Sequence, residues 1–235
     1  MRSVSELPAG AQTARASERA PRRDGLIVLG LVMAAIGLLA GFVVTGIGAA
    51  HTGELGVDEA ISQHRSGVLT AVALFVNLAL GPVVAPLVLL VVCGFLWTRN
   101  RFAAVMIGGL TIVGWLSVEI GKAVVHRTRP PGASVHALVS ETAADSYPSG
   151  HTAFAAAAVF AVAAALVLRH RSTRLVWLVG LPFIAVVALS RLYLGVHYVS
   201  DVIASVVFAG ASILVVVAVG WPWLARLRDR EAART

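Results

Sequence analysis

Cysteine is nearly absent from this chain: Cys93 is the only one in 235 residues. That excludes an intramolecular disulfide and leaves the redox compartment unmarked. Charge is also scarce, at 13% Asp, Glu, Lys and Arg, where a soluble domain of ordinary composition carries about a quarter. Lysine is reduced to one residue, Lys122, against 18 arginines. Clustered carboxylates and internal repeats are missing as well. What fills the space is apolar: 58% of residues are hydrophobic, in uninterrupted runs that reach bilayer-spanning length. A large soluble helical core does not need such runs, so the chain is read as a membrane protein.

The layout follows from the runs. Residues 1–24 are rich in Ala, Arg, Ser and Pro without apolar periodicity and read as a disordered cytoplasmic tail. The first run, Gly25–Ala50, is too long for a signal-peptide core and reads as an uncleaved anchor helix. A polar acidic segment with Glu54, Asp58 and Glu59 follows. The charge-free stretch Gly67–Trp97 is broken by Gly81-Pro82 and Pro86. It is read as the end of a helix Val57–Leu80 lying along or entering the outer interface, then a short span Pro82–Trp97, with a strongly tilted single helix as the competing reading. Four further spans are expected at Phe102–Val125, Thr152–Leu168, Leu175–Leu192 and Val199–Trp221. The expected fold is all-α, a polytopic bundle of six transmembrane helices over residues 25–223, with a basic cytoplasmic tail at 224–235.

Arginine placement orients the bundle. Fourteen basic residues fall in the N-terminal tail, the Arg99–Arg101 and Arg169–Arg174 turns and the C-terminal tail. The opposite side holds five, Arg65, Lys122, Arg127, Arg129 and Arg191, together with six acids, Glu54, Asp58, Glu59, Glu141, Asp145 and Asp201. Trp97, Trp177, Trp221 and Trp223 fall near the expected cytoplasmic ends of spans. Both termini are therefore expected in the cytoplasm of a plasma-membrane protein.

Three polar clusters lie on the outer side: Lys122-x6-Arg129-Pro130, Pro148-Ser149-Gly150-His151, and Ser190-Arg191-x5-His197-x3-Asp201. Charged groups at the edge of a bilayer are costly and mark function. On a helix, His197 and Asp201 share one face at i,i+4, so the carboxylate can fix the tautomer of a nucleophilic or basic imidazole. The second cluster opens the fourth span, where free backbone N–H groups and the helix dipole form an anion site. Ser149 adds a hydroxyl there, Gly150 admits close approach of an oxygen, and His151 is placed to protonate a departing alkoxide. Lys122 and Arg129 supply charge suited to phosphate oxygens. Each cluster alone has a plainer reading: a helix-capping pair, an N-cap serine, or a cation snorkelling at the interface. Three together, in order on one face, point to a phosphate ester.

The combined pattern resembles the type 2 phosphatidic acid phosphatase (PAP2) superfamily, whose signature is K-x6-RP, PSGH and SR-x5-H-x3-D, over about Val57–Gly210. The resemblance implies that Lys122, Arg129 and Arg191, with Ser149 and Gly150, hold the phosphoryl group. It further implies that His197 attacks phosphorus to form a phosphohistidine, Asp201 orients it, and His151 serves as acid and then base. Three fixed cations make a metal ion or other cofactor unnecessary. The expected partners are a lipid phosphate and the bilayer, with no nucleic acid. The expected activity is lipid phosphatase, on a phosphatidic acid or phosphatidylglycerophosphate type of substrate at the extracytoplasmic face. The alternative substrate is an undecaprenyl or other polyprenyl diphosphate. A phosphate-binding transporter or scaffold needs the cations but neither histidine.

Overall fold

The computed structural model describes residues 21–141 and 143–232. Most of the tail expected at residues 1–24 lies outside the described residues. Those that are described contain eight helices: α1 Pro21–Ile47, α2 Glu54–Gln63, α3 Gly67–Ala79, α4 Val84–Arg99, α5 Arg101–Val125, α6 Gly150–Leu168, α7 Arg174–Tyr193 and α8 Val199–Ala232. The last helix runs past the expected span end at Trp221 and carries the start of the basic tail with it.

Five of these helices are long and apolar enough to cross a bilayer; the bent pair α3–α4, counted as one span, makes six. The bend is 63°. It falls where Gly81-Pro82 interrupts the apolar run, since Pro cannot supply the backbone N–H a continuous helix needs. Upstream the expectation needs correction: Val57–Leu80 is not one helix but two, divided at His64–Ser66. Ser66 caps α3 by accepting the Leu69 N–H at 3.3 Å. Arg65 occupies the break and donates to the carbonyls of Tyr193 and Val135, both at 3.1 Å. Of the two pieces, α3 exposes Val68, Phe75 and Leu78 as a lipid-facing side, and α2 is the polar, partly buried one.

The centre of the bundle is α6, whose alanines let neighbours approach closely. Ala153, Ala155, Ala156, Ala157 and Ala161 are fully buried, and α5, α7 and α8 pack around them. At Gly114 of α5 an added Cβ would sit 2.6 Å from the Ala157 Cβ. In lipid, where helices gain little from hiding apolar surface, such small-residue contacts supply the packing that holds the bundle together. Helix α1 lies along α8, and Gly41 leaves room for Tyr147 of the loop between α5 and α6, whose ring would be 2.6 Å from a Cβ there.

The loop between α5 and α6 covers one end of the bundle. It starts at His126, which caps α5 in the left-handed region with φ 50°. A single antiparallel bridge, Thr128 to Asp145, closes it, reinforced by the Ser146 N–H donating to the Arg127 carbonyl at 2.7 Å. Closing the loop brings its two ends, and therefore the first and second clusters, side by side.

Candidate active site

Helix α7 carries Ser190 and Arg191 in its last turn, and five residues, Leu194–Tyr198, turn the chain into α8. Gly195 takes φ +75° in that turn, and a Cβ there would fall 2.9 Å from Val135, so the position demands glycine twice over. The turn buries His197 to 2% exposure and Asp201 to none.

His197 is held between a cation and a carboxylate. Its Nε2 lies 3.3 Å from Arg129 Nη1. A guanidinium only donates, so in this contact Nε2 accepts and the proton resides on Nδ1. On that side Asp201 Oδ2 stands 3.4 Å away, within ion-pair reach but without the alignment of a closed hydrogen bond; such bonds tighten when substrate binds. Burial pushes the His197 imidazolium down to about 4, with Asp201 pulling the other way. At neutral pH the ring is an uncharged base with its lone pair on Nε2.

The arginine that fixes this tautomer is itself fixed by backbone. Arg129 donates from Nε to the Ala143 carbonyl at 2.7 Å and from Nη1 to the Val196 carbonyl at 2.8 Å. Arg191 is wholly buried. It donates to Asn77 Oδ1 and ion-pairs with Glu141, while its Nε has no partner among the described residues. Burial opposes ionisation of Glu141, but Arg191 and Arg129 overcome it and hold the carboxyl below its usual pKa. An anion is therefore already stable against these two arginines.

Ser149 stands at the N-terminus of α6, fully buried, with its Oγ accepting from Thr152 at 3.3 Å. Its N–H donates to the Asp201 carbonyl at 3.3 Å, which ties the second cluster to the third. Next to it the backbone at Gly150 is open, the nearest atom to a Cβ there being Trp115 Nε1 at 3.7 Å. His151 donates from Nε2 to the Asn77 carbonyl at 3.2 Å. A cleft of about 410 Å³, lined by Arg129, Pro130, Leu138, Glu141 and Val196 among others, opens beside these groups.

Seven of the eight expected residues are thus joined in one connected group. Lys122 is the outlier: its Nζ is 2.9 Å from Glu119 Oε1 on its own helix, and it makes no hydrogen bond to the other site residues among those described. Gly121 beside it packs against Pro148, where a Cβ would be 2.5 Å from Pro148 Cδ, so the lysine flanks the second cluster.

Residues not singled out from the sequence also belong to the site. Asn77, at the bent end of α3, bonds both Arg191 and His151. Its readable signal was that it is the one amide in the charge-free stretch Gly67–Trp97. Glu141 had no signal beyond its place among the acids expected on the side with few basic residues.

An all-helical bundle that holds a neutral imidazole, a carboxylate and buried arginines at one end of its spans defines a polytopic membrane protein with a polar site whose chemistry suits an anion. Comparison with known proteins agrees. The family model described as PAP2 superfamily matches residues 101–224, more than half the chain and including all three clusters. A relative, phosphatidylglycerophosphatase B of Bacillus subtilis (strain 168), is 29% identical over 171 residues, covering 66% of this chain and 79% of that protein. The crystal structure of a transmembrane PAP2 type phosphatidylglycerolphosphate phosphatase from Bacillus subtilis superimposes with TM-score 0.61 at 21% identity, covering 86% of this chain and 96% of that one. The chain belongs to the PAP2 superfamily, and it is a membrane-embedded phosphoric ester hydrolase.

Proposed function

We propose that the chain removes the terminal phosphate of phosphatidylglycerophosphate at the extracytoplasmic face, through a phosphohistidine on His197. The observation that carries this reading is the 3.3 Å contact from Arg129 to His197 Nε2. It leaves the lone pair of a neutral ring beside the guanidinium that would hold the phosphoryl oxygens. The substrate assignment draws on the B. subtilis relative named above, and sidedness on the distribution of arginine.

The phosphoryl group seats against Arg129 and Arg191, with the unpartnered Arg191 Nε, the Ser149 hydroxyl and the first N–H groups of α6 completing the cradle. Lys122 swings from Glu119 to join them. His197 Nε2 attacks phosphorus, the bond to the lipid oxygen breaks, and His151, which enters the cycle as the imidazolium, delivers to that oxygen the proton on the ring nitrogen not bonded to Asn77. The phosphorylated ring is cationic, and Asp201 stabilises it from the Nδ1 side. Water then attacks phosphorus, His151 takes its proton, and the P–N bond breaks to release phosphate and neutral His197. The charge that develops is met by arginine and lysine, so no step requires a metal ion.

The test is a phosphate-release panel on purified protein in detergent with EDTA throughout. It compares phosphatidylglycerophosphate, phosphatidic acid, undecaprenyl diphosphate and a soluble phosphate ester. The expected result is the highest kcat/KM on phosphatidylglycerophosphate. A clear preference for undecaprenyl diphosphate would assign the chain to carrier-lipid recycling instead.

A further inference from the structure

Behind Asp201, on the side away from the substrate cleft, lies a second set of charges that the catalytic scheme does not use. Arg127 is 3% exposed, and its Nη1 donates to Asp201 Oδ1 at 2.7 Å and to Ser200 Oγ at 2.6 Å. Its Nη2 donates to Glu54 Oε2 at 2.6 Å. The other oxygen of Glu54 accepts the Ser200 N–H at 2.7 Å. The ring of Tyr198 stacks under the guanidinium, 4.3 Å from ring centroid to Cζ. Three donors and a stacked face leave this arginine one orientation, and a buried charge is retained only when it is paired in this way.

We infer that Arg127 is a positioning residue for the His197–Asp201 pair, and that Glu54 clamps it from α2, making the outer helix part of the catalytic support. The inference rests on His197 being the nucleophile. Asp201 has two oxygens and two duties. Oδ2 faces His197 and accepts the Tyr198 N–H at 2.8 Å, while Oδ1 is taken up by Arg127. With Oδ1 bound, the carboxylate cannot rotate away from the imidazole. Glu54 balances the arginine, so the assembly behind His197 keeps a net negative charge to stabilise the phosphoimidazolium.

The charges that face His197 are Asp201 from α8, Arg191 from α7, His151 from α6, and Arg129 and Glu141 from the loop. Arg127, Glu54 and Asp58 stand behind Asp201. Removing the Arg127 cation leaves Asp201 less offset, which favours the His197 imidazolium; removing the Glu54 anion does the reverse. The two variants therefore move the acid limb of kcat/KM in opposite directions. A group that merely supports the fold moves it in neither.

The experiment records pH profiles of kcat and kcat/KM in detergent for the full chain and for Arg127→Met, Arg127→Lys and Glu54→Gln. Short-chain phosphatidic acid is the probe, and Asp58→Asn is run in parallel to remove the other nearby titrating carboxyl. Comparing variants on one substrate cancels the substrate's own ionisation. Arg127→Met is expected to lower kcat about 10- to 100-fold, as loss of a supporting partner commonly does, with KM within about twofold and the acid limb moved to higher pH. Arg127→Lys keeps the charge and returns the limb toward wild type. Glu54→Gln moves it lower. Should Arg127→Met fail to fold, Glu54→Gln, which preserves volume, decides alone: a limb unmoved or moved upward overturns the inference. Wild-type kcat in folded Arg127→Met overturns it as well. A wild-type enzyme that forms no phosphohistidine is a separate failure and removes the nucleophile assignment itself.

Discussion

At Asp201 two neighbours compete for one carboxylate, and the geometry separates them, Arg127 on Oδ1 and His197 on the side of Oδ2. Asp201→Asn keeps the shape but withdraws the charge that holds Nδ1–H on His197. We expect kcat to fall by roughly 10²–10⁴-fold, the range known for removing the orienting carboxylate of a catalytic histidine, with KM little changed; steady-state kinetics on folded protein checks this. Asp58 gives a second prediction at this scale. It is 1% exposed, and neither of its oxygens has a hydrogen-bond partner among the described residues. Burial, with Asp201 and Glu54 adding to it, pushes the carboxyl up to about 7. Because the folded pKa lies above the unfolded one, the neutral form favours folding, and that contribution is lost as pH rises through about 7. Thermal unfolding in detergent should show Asp58→Asn raising the apparent Tm at pH 8 more than at pH 5.5. An equal effect at both would contradict the assignment.

Elements, more than single residues, decide what was legible. His197 and Asp201 were readable as a pair from their spacing, but not from a shared helix face: His197 lies in the turn before α8 begins at Val199, and that turn brings it within 3.4 Å of Asp201. Ser149, Gly150 and His151 were readable because they open α6 together. Arg129 and Arg191 were readable from their clusters, but their partners were not: Asn77 and Glu141 reach Arg191 from chain positions 114 and 50 residues away. Arg127 pairs with Glu54 across 73 residues, a contact made only when α2 folds over the loop. The division of Val57–Leu80 at Ser66 was missed because the break carries neither Gly nor Pro before its cap; a capping serine and a stapling arginine make it. Helix packing yields its own prediction. Gly114→Val must displace Ala157, a small and rigid neighbour, whereas Gly109 on the same helix has nothing within 4 Å of an added Cβ. Overpacking of that kind costs about 1–3 kcal/mol. In thermal unfolding, Gly114→Val should lower the apparent Tm while Gly109→Val leaves it near wild type.

Over the whole molecule, the bundle gathers its polar chemistry at one end of the spans and leaves most basic residues at the other. In a Cys93→Ala background, cysteine placed at Ser134, exposed in the loop between α5 and α6, should react with a membrane-impermeant maleimide in intact cells. Cysteine at Ser172, exposed in the turn between α6 and α7, should react only after lysis. The reverse pattern would put the site in the cytoplasm. The account depends most on His197 as the nucleophile. The most direct measurement is acid-free rapid quench of enzyme and substrate during turnover, followed by peptide mass mapping. A phosphoryl group on His197, absent from His197→Ala along with phosphate release, is the predicted result. Wild-type release by His197→Ala, or phosphoryl transfer to another side chain, would contradict it.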